Sequence, residues 1–282
     1  MRQARAAGQT IGIVPTMGSL HEGHLSLVRR ARRETDRVVV SIFVNPLQFA
    51  PGEDFGSYPR SIRRDAKLLR EAETDVLFLP TEERLYPSGF STRIEVDELD
   101  EVLCGRSRPG HFRGVCTIVM KLLQASLPDR LYLGQKDYQQ ATILRRMVRD
   151  LDVPVRTVVC PIVRERDGLA MSSRNVYLSE EERNWAPALQ AALADAKRRI
   201  LAGDWSSPGA VTRSVKSRLR SGPGNTEYVE LLHADTLQPV RVLEGELVLA
   251  LAHRLGGARL IDNVLIRVPR ERKGNSERKV KR

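Results

Sequence analysis

The 282-residue sequence predicts an α/β fold: a parallel sheet with helices on both faces, joined to a smaller α+β C-terminal domain. Three observations predict it. Strand-like runs at 11–14, 38–44 and 76–79 alternate with helix-like runs beginning near Gly23 and Ser61, which is a βαβαβ order. That alternation packs helices on both sides of a Rossmann-like sheet and leaves ligands beyond the carboxyl ends of its strands. From 163 onward the order changes, with helix-like stretches first and then three strand-like runs that lack intervening helices, the pattern of an antiparallel meander.

The elements can be justified in turn. Ile11 to Val14 is an apolar run that leads through Pro15 and a glycine turn into a helix near Gly23. The β-branched run 38–44 reads as the second strand, a helix follows from Ser61, and 76–79 reads as the third strand. Further on, 112–125 reads as an amphipathic or buried helix, 130–133 as a short strand and 138–148 as another helix. The apolar run 153–163 then closes the parallel set. Ser179 and Glu182 form a Ser-x-x-Glu capping box, so 179–201 reads as one long helix, with a second over 208–219. Ser221-Gly222-Pro223-Gly224-Asn225 breaks the chain before strand-like runs at 228–232, 247–251 and 259–268. The expected division is a Rossmann-like domain over 1–162, a smaller α+β domain over 163–268 and a basic, disordered tail over 269–282.

Composition narrows the function classes. Hydrophobic residues make up 41% and charged residues 29%, and no apolar stretch approaches the ~18 residues of a membrane span, so no membrane partner is expected. The opening residues are polar and basic, unlike a secretory signal. The net charge of +11 is uneven, because the segment 267–282 has eight basic and two acidic residues. The moderately basic remainder suits anionic substrates. Only 5% of residues are aromatic and no basic motif is interleaved with them, which argues against an RNA-binding module. Cys104, Cys116 and Cys160 are odd in number and lack C-x-x-C spacing, so neither a disulfide framework nor a zinc site is expected, and a reducing cytoplasm fits.

Several segments carry chemistry. Met17-Gly18-Ser19-Leu20-His21-Glu22-Gly23-His24 joins a strand to a helix, and a helix N-terminus presents unpaired N–H groups and partial positive charge to an anion. His21 and His24 are three residues apart, on the same side of that first turn. Zinc-protease spacing would need four, so capping and phosphate contact remain the open readings. Asn45-Pro46-Leu47-Gln48-Phe49 is either a plain turn or an amide site for a small hydroxy acid, with Leu47 and Phe49 as walls. Gly134-Gln135-Lys136-Asp137 repeats the strand-to-helix geometry, adding a mobile cation and an acid that is either a ribose ligand or an N-cap. Met171-Ser172-Ser173-Arg174, on a glycine-preceded loop, is a candidate clamp for pyrophosphate. His111-Phe112-Arg113-Gly114 is a basic turn entering a helix. Asp54 and Asp65 are candidates to help place Mg²⁺, which reaches nucleotides largely through waters.

Together PTMGSLHEGH, FVNPLQF, YPR, HFRGV, GQKDYQQ and MSSRN, in this order, resemble the pantothenate synthetase family, ATP-dependent pantoate–β-alanine ligases of the nucleotidylyltransferase superfamily. The resemblance implies condensation of pantoate with β-alanine through a pantoyl adenylate, in a homodimer, with Mg²⁺ accompanying ATP. It places ATP against Met17, Gly18, Ser19, Leu20, His21, Glu22, Gly23, His24, Gly134, Gln135, Lys136, Asp137, Val163, Met171, Ser172, Ser173 and Arg174. His24 matches the family's proton donor, and Lys136, Ser172 and Ser173 join it as catalytic groups. Gln48 and Gln140 match pantoate contacts, Tyr58 and Arg113 resemble supporting pocket residues, and Asp65 matches a carboxylate near Mg²⁺. Arg64 departs from the acid that some members carry beside it. A nucleotidyltransferase that acts on another small anion, and needs no β-alanine, is the alternative.

Overall fold

The computed structural model describes residues 1–269, so the basic tail from Arg270 lies outside the described residues. Strands β1 (Ile11–Thr16), β2 (Arg37–Ile42), β3 (Val76–Phe78), β4 (Arg130–Gly134) and β5 (Arg156–Cys160) form one parallel sheet, ordered β3-β2-β1-β4-β5. Winding runs outward from β1 to β3 and then restarts beside β1 with β4, which opens a crevice at the carboxyl ends of those two strands. Helices α1 (Arg2–Ala6), α2 (Glu22–Glu34), α3 (Ile62–Glu71), α4 (Glu82–Leu85), α5 (Leu103–Ser107), α6 (His111–Ser126) and α7 (Tyr138–Asp150) occur along this part of the chain.

Period-two alternation sorts the strand residues between two layers. Ile11, Ile13, Val39, Leu131 and Leu133 face α6 and α7, while Val14, Val38, Val40 and Tyr132 face α2 and α3. The register sets Ile13 against Val39 on one side and Leu131 on the other. The central strands are therefore buried on both faces, as a continuous apolar run requires.

The rest comprises α8 (Glu180–Trp185), α9 (Ala188–Leu201) and α10 (Pro208–Leu219), then β6 (Asn225–His233), β7 (Gly245–Leu255) and β8 (Ala258–Val268) in an antiparallel sheet. One sheet face packs Val229, Leu247 and Leu249 against Leu189, Leu193 and Val215 of the helices. The opposite face contributes Leu232, Val248 and Ala250 to the core that also holds Ile13 and Ile143, so the meander joins the two parts.

Two expectations change. The helix expected over 179–201 is broken into α8 and α9, because Pro187 has no N–H to give the carbonyl four residues back. The strand expected over 153–163 contracts to β5, bracketed by Pro154 and Pro161, neither of which can donate to a ladder. All three cysteines are free and buried. Among the described residues no helix is long and apolar enough to cross a membrane.

Candidate active site

The turn between β1 and α2 is shaped by one acid from α3. Gly18 adopts φ +83° and Ser19 φ +52°, and the reversal aims two successive amides at Asp65. Ser19 N–H donates to Asp65 Oδ2 at 2.8 Å and Leu20 N–H to Oδ1 at 2.9 Å, with the carboxylate fully buried. The structure gives Asp65 the task of ordering this turn, with one backbone N–H on each oxygen. It also removes the Ser19 and Leu20 amides from the phosphate donors, and Leu20 itself lies in the core. Glu22 pairs with Arg29 along the helix, away from the crevice.

His21 and His24 fill the first turn of α2 as a reciprocal cap. Gly23 N–H donates to His21 Nδ1 at 3.1 Å, and His21 N–H donates to His24 Nδ1 at 3.4 Å. The rings lie 4.1 Å apart, centroid to centroid. Burial, helped by the nearby Lys136, lowers His21 to about 4. Burial, then the His21 charge and Lys136, lower His24 to about 3. Both imidazoles are thus neutral near pH 7, with Nδ1 accepting and the proton on Nε2, and both line the crevice. Capping accounts for Nδ1 of each ring, and both histidines line the crevice.

Across the crevice, β4 delivers Gly134, Lys136 and Asp137. Among the described residues Lys136 makes no ion pair, and it borders two adjoining cavities of about 200 and about 420 Å³. Asp137 sits at the start of α7 without a side-chain capping bond, which sets the N-cap reading aside. Gln135 turns from the crevice to hydrogen-bond Asn263 of β8 at 3.1 Å. Val163 and Met171 close a small hairpin through Met171 N–H to the Val163 carbonyl at 3.0 Å, and both reach the first cavity. Beyond it, Ser172 caps a 3-10 turn (Ser173–Tyr177), and Ser173 Oγ lies 3.3 Å from Tyr58 Oη. Arg174 is held by Asp54 through two bonds of 2.9 Å, so Asp54 is an ion-pair partner rather than a metal ligand.

The first cavity continues past the histidines to Gln48, Gln140 and Tyr58, with Phe43, Val115 and Val119 among its apolar walls. Gln48 is positioned by Asn45, whose Nδ2 donates to Gln48 Oε1 and to the Gly114 carbonyl, each at 3.1 Å, and by Met17, whose sulfur accepts from Gln48 Nε2. Tyr86 Oη in turn donates to Asn45 Oδ1 at 2.7 Å. The Gln48 carbonyl accepts from His111 Nδ1 at 2.7 Å and from Arg108 at 3.2 Å, and Arg108 is itself paired with Glu53. Burial and the Arg108 charge lower His111 to about 4.

Arg113 does not join this site. Gly114 packs its backbone where an added Cβ would come within 2.2 Å of the Leu47 carbonyl, so the preceding residue points outward, and Arg113 pairs with Glu95 on the surface. Glu53, Tyr86, Arg108 and the β8 pair Asp262–Asn263 are the residues that sequence reasoning missed. Each acts through contacts far away in sequence and carries no local signal.

A parallel sheet with its crevice at the β1/β4 reversal, a doubly capped helix N-terminus and Lys136 opposite, without an ion pair among the described residues, define a nucleotide-handling α/β enzyme. The model of the Pantoate-beta-alanine ligase family matches residues 1–265. Pantothenate synthetase of Pseudothermotoga lettingae is 53% identical over 258 residues, covering 92% of each chain. Pantothenate synthetase of Heliobacterium modesticaldum is 52% identical, covering 95% of each. The crystal structure of pantothenate synthetase from Thermus thermophilus superposes with a TM-score of 0.87 at 49% identity, over 93% of this chain and 96% of that one. A Francisella tularensis pantoate-beta-alanine ligase, solved with β,γ-ATP and β-alanine, gives 0.76 at 38% identity, over 92% and 90%. The chain belongs to the pantoate-beta-alanine ligase family.

Proposed function

We propose that this crevice activates pantoate as an adenylate at the β1–α2 turn and then presents it to β-alanine in the same cavity. The overall reaction is ATP-dependent condensation of pantoate with β-alanine to pantothenate, AMP and diphosphate. A carboxylate is a poor electrophile toward an amine at neutral pH, so the carboxylate oxygen first attacks the α-phosphorus and diphosphate leaves. The amine then attacks the acyl carbon, and the C–O bond to AMP breaks as the amide forms.

The observation that carries this reading is the pair of buried, reciprocally capping imidazoles that line the crevice together with Lys136, which makes no ion pair among the described residues. As negative charge grows on the phosphate oxygens, the Nε2–H groups of His21 and His24 and the Lys136 ammonium stabilise it, which needs donors fixed in place beforehand. His24 therefore acts by donating a hydrogen bond rather than by releasing a proton. Gly134, Asp137, Val163 and Met171 border the nucleotide, while Ser172 and Ser173 meet its phosphates beside Arg174, which keeps a free edge while paired with Asp54. Gln48 and Gln140 hold the pantoate hydroxyl and carboxylate, and Tyr58 closes the cavity over them. Apolar walls take the dimethyl carbon and exclude water from the adenylate. For the second step, holding the amine beside an activated acyl group supplies large effective molarity.

The family resemblance supports Mg²⁺ accompanying ATP as MgATP, since Mg²⁺ is held mainly by substrate phosphates and waters with few carboxylates. The family resemblance supports a homodimer, and three free buried cysteines support a reducing, cytoplasmic setting.

The test is AMP release from ATP with pantoate, with β-alanine and with both. Turnover is expected only in the complete mixture, with ATP–pyrophosphate exchange requiring pantoate alone. Exchange that ignores pantoate would point to a nucleotidyltransferase of different substrate.

A further inference from the structure

Two adjacent buried polar residues on β8 reach both halves of the crevice from the C-terminal sheet. Asn263, only 2% exposed, directs every side-chain bond at one turn: Nδ2 donates to the Gln135 carbonyl at 3.0 Å and the Lys136 carbonyl at 3.1 Å, and Oδ1 accepts from Gln135 Nε2 at 3.1 Å. Asp262, 4% exposed, stands in a row with Leu260, Val264 and Ile266, where an unpaired carboxylate would be costly. It is paired through two bonds, at 2.6 and 2.9 Å, with Arg164, which begins the hairpin leading to Ser172 and Ser173 and also donates to the Gly168 carbonyl. Because neighbouring strand residues face opposite ways, one two-residue step grips the Lys136 turn on one side and the serine loop on the other.

We propose that Asp262 and Asn263 are positioning residues for adenylation, setting the spacing between Lys136 and Ser172–Ser173. The idea rests on the nucleotide-site reading above. The Gln48 side of the pantoate cavity is anchored separately, through Asn45 to Gly114, and Gln140 is carried by α7, which Ile143, Leu144 and Met147 fix in the core, so a small displacement of the turn acts on kcat before it acts on pantoate affinity. A misplacement of about 1 Å can cost on the order of 10²-fold in rate, which sets the size of the effect.

Asn263→Asp keeps the shape but replaces two donors with an acceptor facing two carbonyls. In pantoate-dependent ATP–pyrophosphate exchange, kcat is expected to fall by about 10- to 100-fold with the pantoate KM within about twofold. Amide formation from supplied pantoyl adenylate and β-alanine should remain near parental. In a Lys136→Ala background, which removes the group being positioned, the same change should cost less than about threefold further. Asp262→Asn, which keeps volume and weakens the Arg164 pair, should give the same split and serves where Asn263→Asp does not fold. Equal loss in both half-reactions, a raised pantoate KM, or full additivity with Lys136→Ala overturns the positioning role. A parent enzyme without pantoate-dependent exchange overturns the nucleotide-site reading instead.

Discussion

Burial holds His24 near 3 and His21 near 4, so neither gains charge in the range where an ordinary imidazole titrates, about 6.5. Adenylation is accordingly expected to show no acid limb near pH 6.5, and pantoate-dependent exchange followed from pH 5.5 to 8 checks this. Removing a fixed donor at such a site typically costs ~10²- to 10³-fold, so His24→Ala and Lys136→Ala should each lose exchange by about that factor while staying folded. Stability has the opposite sensitivity to acid. Between pH 6.5 and the folded-state values the unfolded chain binds more protons than the native one, so stability is present above 6.5 and lost as pH falls toward 4. His111, also near 4, acts in the same direction. The Tm of the parent should drop across that window, and His111→Gln should show a shallower drop. Asp65 gives a separate test of its role in ordering the turn. Asp65→Ala orphans two amides, at ~1–3 kcal/mol each, so Tm should fall, and raising Mg²⁺ should recover none of the lost exchange. Recovery by Mg²⁺ would return Asp65 to the metal.

At the scale of elements, α6 meets the 3-10 turn (Pro46–Gln48) through bare backbone at Gly114. Gly114→Ala would drive a methyl group into the Leu47 carbonyl, and relief requires the turn bearing Gln48 to move. A loss of about 1–3 kcal/mol and a rise in the pantoate KM larger than any rise in the ATP KM are expected, read by thermal melts and initial rates. Equal change in both KM values would mean that the turn does not serve pantoate alone. This contact also marks where sequence legibility ends. The β1–turn–α2 unit could be read because its signals are local: an apolar run, a glycine turn and two histidines in helical phase. Arg113 departs from the expected site because the close approach of Gly114 to Leu47 sets the phase of α6, which residue type alone does not carry. The break at Pro187 was present in the sequence, but the capping box upstream obscured it. The Arg108–Glu53 pair spans 55 residues and the Gln135–Asn263 pair 128, and no pattern along the chain links such positions.

At the scale of the whole molecule, the expected split into a domain over 1–162 and another over 163–268 meets a sheet buried on both faces. Leu232, Val248 and Ala250 belong to the core of the first part, while Val229, Leu247 and Leu249 belong to that of the second. Polar ties reinforce the seam: Tyr138 Oη donates to the Ala234 carbonyl at 3.0 Å, and Asn263 holds the Lys136 turn. Separating the parts would expose one apolar face of the meander and orphan the buried Asn263 amide. Neither loss can be made good locally, because the missing partners all lie on the other segment. The chain should therefore unfold as one cooperative unit despite its length, with calorimetric and van't Hoff enthalpies in agreement. A segment of 163–268 made alone should show no cooperative melt and should bind an apolar dye, since the face normally covered by the parallel-sheet core would lie open. Two resolved transitions in the whole chain, the first leaving β6 to β8 protected from hydrogen exchange, would show instead that the meander draws its stability from α9 and α10 alone.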